Sequence, residues 1–226
     1  MTALRVGGIA GLGFVLAFFA GLVLTDVPDA SNTTAEAIRF YAEDANRVKT
    51  ILAAYLFGVA GICFVGFLVG LVGMLRAADA RSPLPIAALV AGTVYLGLLL
   101  AAGGAFVAPS ATLALDPEHS GKATADVANL ARGLAILGDW LLLMSGPFAA
   151  AALVASVSIA ALRTGALRPW LAWGGLGIAL TLLAGVLFFP LFVFLLWVLA
   201  VSVALLRQPP DGARPALPGA VGGSAR

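Results

Sequence analysis

Residues 6–25, 50–75, 82–115, 140–162 and 169–206 contain no Asp, Glu, Lys or Arg, and the charged positions are gathered between these five stretches. A helix crossing the roughly 30 Å hydrocarbon layer of a bilayer needs about 20 apolar residues, and in lipid it must satisfy its own backbone polar groups. The first, second and fourth stretches each fit one such helix. As a single helix, 169–206 would be about 57 Å long at 1.5 Å per residue, too long for one crossing and right for two with a turn. Pro190, after Phe188 and Phe189, marks that turn. With one crossing in the third stretch, cut near Pro109, the chain reads as an all-α, six-span transmembrane helix bundle. The spans fall at about 6–25, 50–75, 85–108, 134–162, 170–187 and 190–206, and 1–207 form a single membrane domain.

The segments between spans carry a second pattern. Thr33-Thr34-Ala35-Glu36 has the form of a capping box, so a helix starts there. Ile38, Tyr41, Ala45, Val48, Leu52 and Tyr55 then recur at spacings of three and four, one apolar stripe that predicts a helix running straight into span two. Ser120, Thr124 or Asp126 starts a comparable helix, whose inner stripe is Val127, Leu130, Leu134 and Leu137 and which continues to Arg163. Spans two and four therefore have extended outer ends, related by the offset that aligns Arg76 with Arg163. Gly7 with Gly11, Ala17 with Gly21, and Gly66 with Gly70 give the four-residue spacing of small residues that lets helices approach closely. The Pro- and Gly-rich residues 208–226 lack apolar periodicity and read as a disordered cytoplasmic tail.

Composition agrees with a lipid environment. The chain is 62% hydrophobic and 11% charged, with a mean hydropathy of +1.06, which leaves no polar surface for a soluble domain. Its first apolar run exceeds a secretory h-region and has no small-x-small cleavage site before Asp26, so it reads as a retained span. A pI near 9.0 rests on a net charge of only +2 with scattered basic residues, which argues against nucleic acid as a partner. Its meaning is topological. If the N-terminus is cytoplasmic, the inner side holds Arg5, Arg76, Arg81, Arg163, Arg168, Arg207, Arg214 and Arg226, against Arg39, Arg47, Lys49, Lys122 and Arg132 outside. The positive-inside rule then puts both termini in the cytoplasm of a plasma-membrane protein.

Ionisable groups near a span are the candidate chemistry, and Asp139 is the foremost. It precedes Arg163 by about 36 Å of straight helix, which sets it at the outer interface. The offset brings it within a turn of Lys49 if spans two and four are neighbours, and Arg132 lies two turns outward on a similar face. Asp139, Lys49 and Arg132 form the candidate polar site, either a structural salt bridge or a proton or cation site. His119 has no neighbouring His or Cys at metal spacing, and Cys63, the one cysteine, lies inside a span. Neither a metal nor a cofactor is expected. Phosphate loops, nucleophile elbows and metalloprotease pairs are missing from the sequence, so the expectation is a non-enzymatic protein.

The run Gly138-Asp139-Trp140, Pro147-Phe148 and Leu162-Arg163 through Arg168-Pro169-Trp170-Leu171-Ala172-Trp173-Gly174 resembles bacterial membrane proteins grouped as domains of unknown function. In them an Asp-Trp pair near the outer end of a span and an Arg- and Trp-bearing inner loop precede two closing spans. Phe40, Tyr41, Ala42 and Arg47 match their outer segment, and the Ala- and Gly-rich chain looks like the integral membrane proteins common in actinobacteria. The resemblance implies six spans and no named activity. It maps interface anchors onto Trp140, Arg168, Trp170 and Trp173. Two functions follow: a structural or accessory subunit whose outer helices, 33–49 and 120–139, meet a protein partner, or a small-molecule or lipid transporter with Asp139, Lys49 and Arg132 lining an outward vestibule. A polar cavity between spans two and four would favour the second, a dry and filled bundle the first.

Overall fold

The computed structural model describes residues 3–28, 31–115, 124–184 and 189–208, and every regular element among them is helical. The order is α1 (Ala3–Leu24), α2 (Thr34–Ala42), α3 (Asp44–Ala78), α4 (Leu84–Leu115), α5 (Ala125–Asp139), a π-helical turn (Trp140–Ser145), α6 (Gly146–Thr164), α7 (Pro169–Ala184) and α8 (Phe189–Leu206). Five helical segments, α1, α3, α4, the continuous run Ala125–Thr164 and α8, are long and apolar enough to cross a bilayer. The chain is a multi-pass helical membrane protein. α7 is apolar but has 16 residues in the described part, and the predicted span 170–187 runs on into 185–188, which lie outside it, as do His119, Ser120 and the predicted tail from 209 onward.

Three boundaries differ from the sequence reading. The outer helix does not continue into span two. It stops at Glu43, whose extended backbone (φ −85°, ψ 120°) caps α2 and starts α3. The break is built in: the Phe40 carbonyl accepts the Glu43 N–H at 3.4 Å in a tightened last turn, and Asn46 Nδ2 donates both to that carbonyl and to Glu43 Oε2. It lets α2 turn away and pack on α5. α4 does not end near Pro109 but runs through it to Leu115. A proline is tolerated in a transmembrane helix where neighbouring helices cover the freed carbonyl, and Pro109 and Ser110 are both buried. In span four, Pro147 has no N–H to donate and its ring would strike the carbonyl four residues back. The chain answers with the π turn, in which the Gly146 N–H reaches the Leu141 carbonyl.

On α5 and at the start of α3, small residues face inward and several large apolar ones face out. On α5 the buried face is Ala128, Ala131, Ala135 and Gly138, while Leu130 and Leu137 of the expected inner stripe point outward. On α3, Arg47, Thr50 and Ala53 face inward, and Val48, Leu52 and Tyr55 face out. Small residues at a helix contact let backbones approach and gain dispersion contacts, and inside the bilayer, where lipid chains are as apolar as leucine, that gain decides which helices join. α1 and α3 show this most clearly, with Gly7 set against Gly70 and Gly66 against Ala10. At the end of α6, Gly165 (φ +69°) takes the left-handed conformation and donates its N–H to the Ala161 carbonyl at 2.8 Å, a C-terminal cap that favours glycine.

α4 stands at the centre of the arrangement, packed along α3 on one side and α6 on the other, while α3 and α6 barely meet. Aromatic rings fill the space between. Phe57 contacts Phe18, Phe18 contacts Phe14, and Phe14 contacts Phe64 at 4.8 Å between centroids. From Phe64 the chain of rings continues to Tyr95 at 5.4 Å, to Phe194 at 4.9 Å and to Trp197. This ladder joins α1, α3, α4 and α8, and all seven rings are almost fully buried. Offset and tilted aromatic pairs at these separations add about 0.5–1.5 kcal/mol each beyond their buried area.

Candidate functional site: the outer helical cap

The cap is assembled where α2, α5 and the end of α4 come together. α2 begins as its sequence predicts: Thr33 Oγ1 accepts the Glu36 N–H at 3.3 Å and Glu36 Oε2 accepts the Thr33 N–H at 2.7 Å. The Thr33 amide, and then the Thr33 hydroxyl, hold the Glu36 carboxyl below the usual carboxylate range. α5 begins at Thr124, whose Oγ1 accepts the Val127 N–H. Tyr41 of α2, Leu113 of α4 and Ala131 of α5 form a small apolar core covered by Phe40 and Val127, and Thr34 Oγ1 donates to Asn129 Oδ1 at 3.3 Å across the two helices. Burial pushes the Tyr41 hydroxyl up to about 12.

A polar cluster occupies the α1 side of the cap. Arg47 is ion-paired to Asp44 and is itself nearly buried, with Nη1 lacking a partner among the described residues. A small pocket of about 160 Å³ is lined by Val23, Leu24, Asp26, Phe40, Asn46 and Lys49. Lys49 therefore looks toward the end of α1. Arg132 and Asp139 stand on α5, which packs on α4 and α2, and both are half-buried and already engaged in polar interactions. α4 lies between spans two and four, where the transporter reading would have its vestibule.

The expected anchors lie at the helix ends. Trp140 opens the π turn and is exposed, and Arg168, Trp170 and Trp173 are exposed at the start of α7. Sequence reasoning missed the buried Arg47. Its signal is the helical spacing it shares with Thr50, Ala53 and Phe57, a face less hydrophobic than the stripe through Val48, Leu52 and Tyr55. It also missed the Tyr95 hydroxyl, which lies within the ladder with no hydrogen-bond partner among the described residues.

Apolar side chains on the cap are exposed well beyond the hydrocarbon. Val48 lies 28 residues, about 42 Å of helix, from Arg76, and Leu130 lies 33 residues, about 50 Å, from Arg163. A roughly 30 Å hydrocarbon layer and an ordinary tilt of about 20° leave both outside it. Val48 is 63% exposed and Leu130 65% exposed. Compared with family models, with curated proteins and with solved structures, the chain gives no match.

Proposed function

We propose that this is a non-enzymatic accessory subunit of a plasma-membrane assembly that binds a protein partner through its outer cap. The observation that carries this reading is the exposed apolar surface on α3 and α5, with Val48 and Leu130 beyond the level that lipid chains reach and Leu52 and Leu137 at its edge. The filled aromatic ladder supports it, since a transporter needs a polar path and α4 closes the space between spans two and four. The described part of the cap holds Asp26, Glu36, Glu43, Asp44, Asp126 and Asp139 against Arg39, Arg47, Lys49 and Arg132. The partner's contact surface is accordingly apolar at its centre with a basic rim. We infer six crossings, α7 counting as the fifth, and both termini in the cytoplasm. The opposite end, with Arg5, Arg76, Arg81, Arg163, Arg168 and Arg207, carries more Lys and Arg than the cap and supports that orientation. The resemblance to bacterial membrane proteins of unknown function fits the same picture.

Purification from native membranes in mild detergent, followed by mass spectrometry, tests the reading. One protein partner at a fixed ratio is expected, and Val48→Asn combined with Leu130→Asn should release it while the chain stays helical and monodisperse. A solitary chain that retains a defined small molecule would replace this reading with transport, and Asp139→Asn would then be the informative variant.

A further inference from the structure

At the basic end, opposite the cap, α7 and α8 diverge and leave a groove of about 480 Å³. The divergence has a cause. Gly175 of α7 is pressed against Ser158 of α6 and also meets the Trp197 indole of α8, so the two closing helices touch at that level. α7 otherwise keeps mainly to α6, and α8 is held by α1, where Ser202 meets Gly11 and Leu206 covers Gly8. From Trp197 toward the basic end α7 and α8 therefore part, and the half-buried and exposed side chains of Leu196, Leu199 and Val203 form one wall of the opening.

The mouth of the groove is basic and fixed. Arg168, just before α7, and Arg207, just after α8, both line it and both are exposed. No carboxylate among the described residues pairs with either. Gln208, also at the mouth, donates from Nε2 to the Ala166 carbonyl at 3.4 Å and contacts Met74 Sδ at 3.1 Å, which ties the end of α8 to the α6–α7 connection and to α3. Trp170 stands at the lip, where an indole suits the boundary between chains and headgroups. From Leu196 to Arg207 the wall rises about 17 Å, close to half of the roughly 30 Å hydrocarbon layer.

Two guanidinium groups over an apolar trough one leaflet deep match a single class of molecule. We propose that this groove holds one anionic phospholipid from the leaflet at the basic end, with its phosphate between Arg168 and Arg207 and one acyl chain along Leu199 and Val203. Guanidinium groups pair with phosphate oxygens in a planar, two-point geometry, and basic pockets between transmembrane helices attract anionic headgroups. The proposal is independent of the partner bound at the cap.

The test is native mass spectrometry of the full chain in detergent with added phosphatidylglycerol or phosphatidylcholine. The expected result is one phosphatidylglycerol retained per chain, about tenfold in preference to phosphatidylcholine. Arg168→Gln with Arg207→Gln should remove that preference, whereas Arg76→Gln with Arg163→Gln, at the same end but outside the groove, should leave it intact. Ala200→Trp fills the trough without altering charge and should also release the lipid, and circular dichroism and gel filtration confirm that each variant is folded. Equal retention of the two lipids overturns the proposal, as does an equal loss in the Arg76 and Arg163 pair. Displacement of the lipid by excess inorganic phosphate alone would show an anion site that makes no use of the trough, and overturns it too.

Discussion

α1 and α3 meet at Gly7 and Gly70, so closely that a Cβ added to Gly7 would stand 2.7 Å from the Gly70 Cα; α7 and α8 meet across leucines and valine and leave an open groove between them. Both pairs join apolar helices, yet one is closed along its seam and the other leaves open space. The difference lies in residue size. Small residues on both helices let the backbones touch, and each additional atom pair adds its dispersion energy, whereas bulky side chains hold axes apart and exchange contacts with lipid at little cost. Apolarity places these helices in the membrane, and the positions of Gly, Ala and Ser decide which of them join.

The largest expected effect comes from breaking the closed pair. Gly70→Leu places a side chain where the Gly7 backbone already stands and should leave no stably folded protein, well beyond the roughly 1–3 kcal/mol usual for overpacking, because backbone cannot step aside as a side chain does. Denaturant titration in detergent would show it as a loss of folded, monodisperse protein, and an unchanged midpoint would refute the seam. Next is the ladder that links the closed pair to α8. Tyr95→Ala should cost about 3–5 kcal/mol through the cavity it leaves between Phe64 and Phe194. Tyr95→Phe should be neutral or slightly stabilising, since the hydroxyl it removes has no partner among the described residues. A marked loss with Phe would mean that the hydroxyl has a role.

The spans were legible in the sequence because charge is costly in lipid at any rotation of the helix, so the charge-free runs around Phe14, Phe64 and Val154 could be read without knowing what faces what. The faces were not legible. Leu130 and Leu137 were expected inside and are outside, because α5 packs on α4 and α2 through Ala128, Ala131, Ala135 and Gly138, whose small side chains let the helices approach closely. Backbone breaks were missed for a different reason. The stop at Glu43 depends on the Asn46 side chain taking over a carbonyl, and the continuation through Pro109 on burial by other helices. Both are tertiary events with weak local signals. Of the candidate polar residues, Arg132 and Asp139 stand on α5 and Lys49 on α3, and the sequence could not place α4 beside both helices.

Smaller effects sharpen the contrast between the bundle and its cap. Because burial raises Tyr41 from 10.0 to about 12, the folded cap favours the neutral phenol, so this contribution is complete below about pH 10 and is lost as pH climbs toward 12. Glu36 acts in the opposite direction. Its carboxyl is lowered, so its contribution is present above the unfolded value of 4.5 and fades as pH falls below that. Hydrogen exchange of α2 amides should quicken at both extremes while α1 and α3 amides stay protected, and a uniform response would deny the cap its separate stability. The smallest effect belongs to the open pair: Leu196→Ala, on the exposed face of α8, should change stability by no more than about 0.5 kcal/mol.

A function confined to the surface of the bundle, as proposed, requires that no water path run between the helices. Ser110, Ser158 and Ser202 sit on α4, α6 and α8 and are almost fully buried, and cysteine replaces serine with little change of shape. Introduced singly in a Cys63→Ser chain in vesicles, each should remain unreactive to a small water-soluble thiosulfonate applied from either side and react once the protein is denatured. Labelling of any one of them in the folded protein would reveal a water path through the helices and contradict the account.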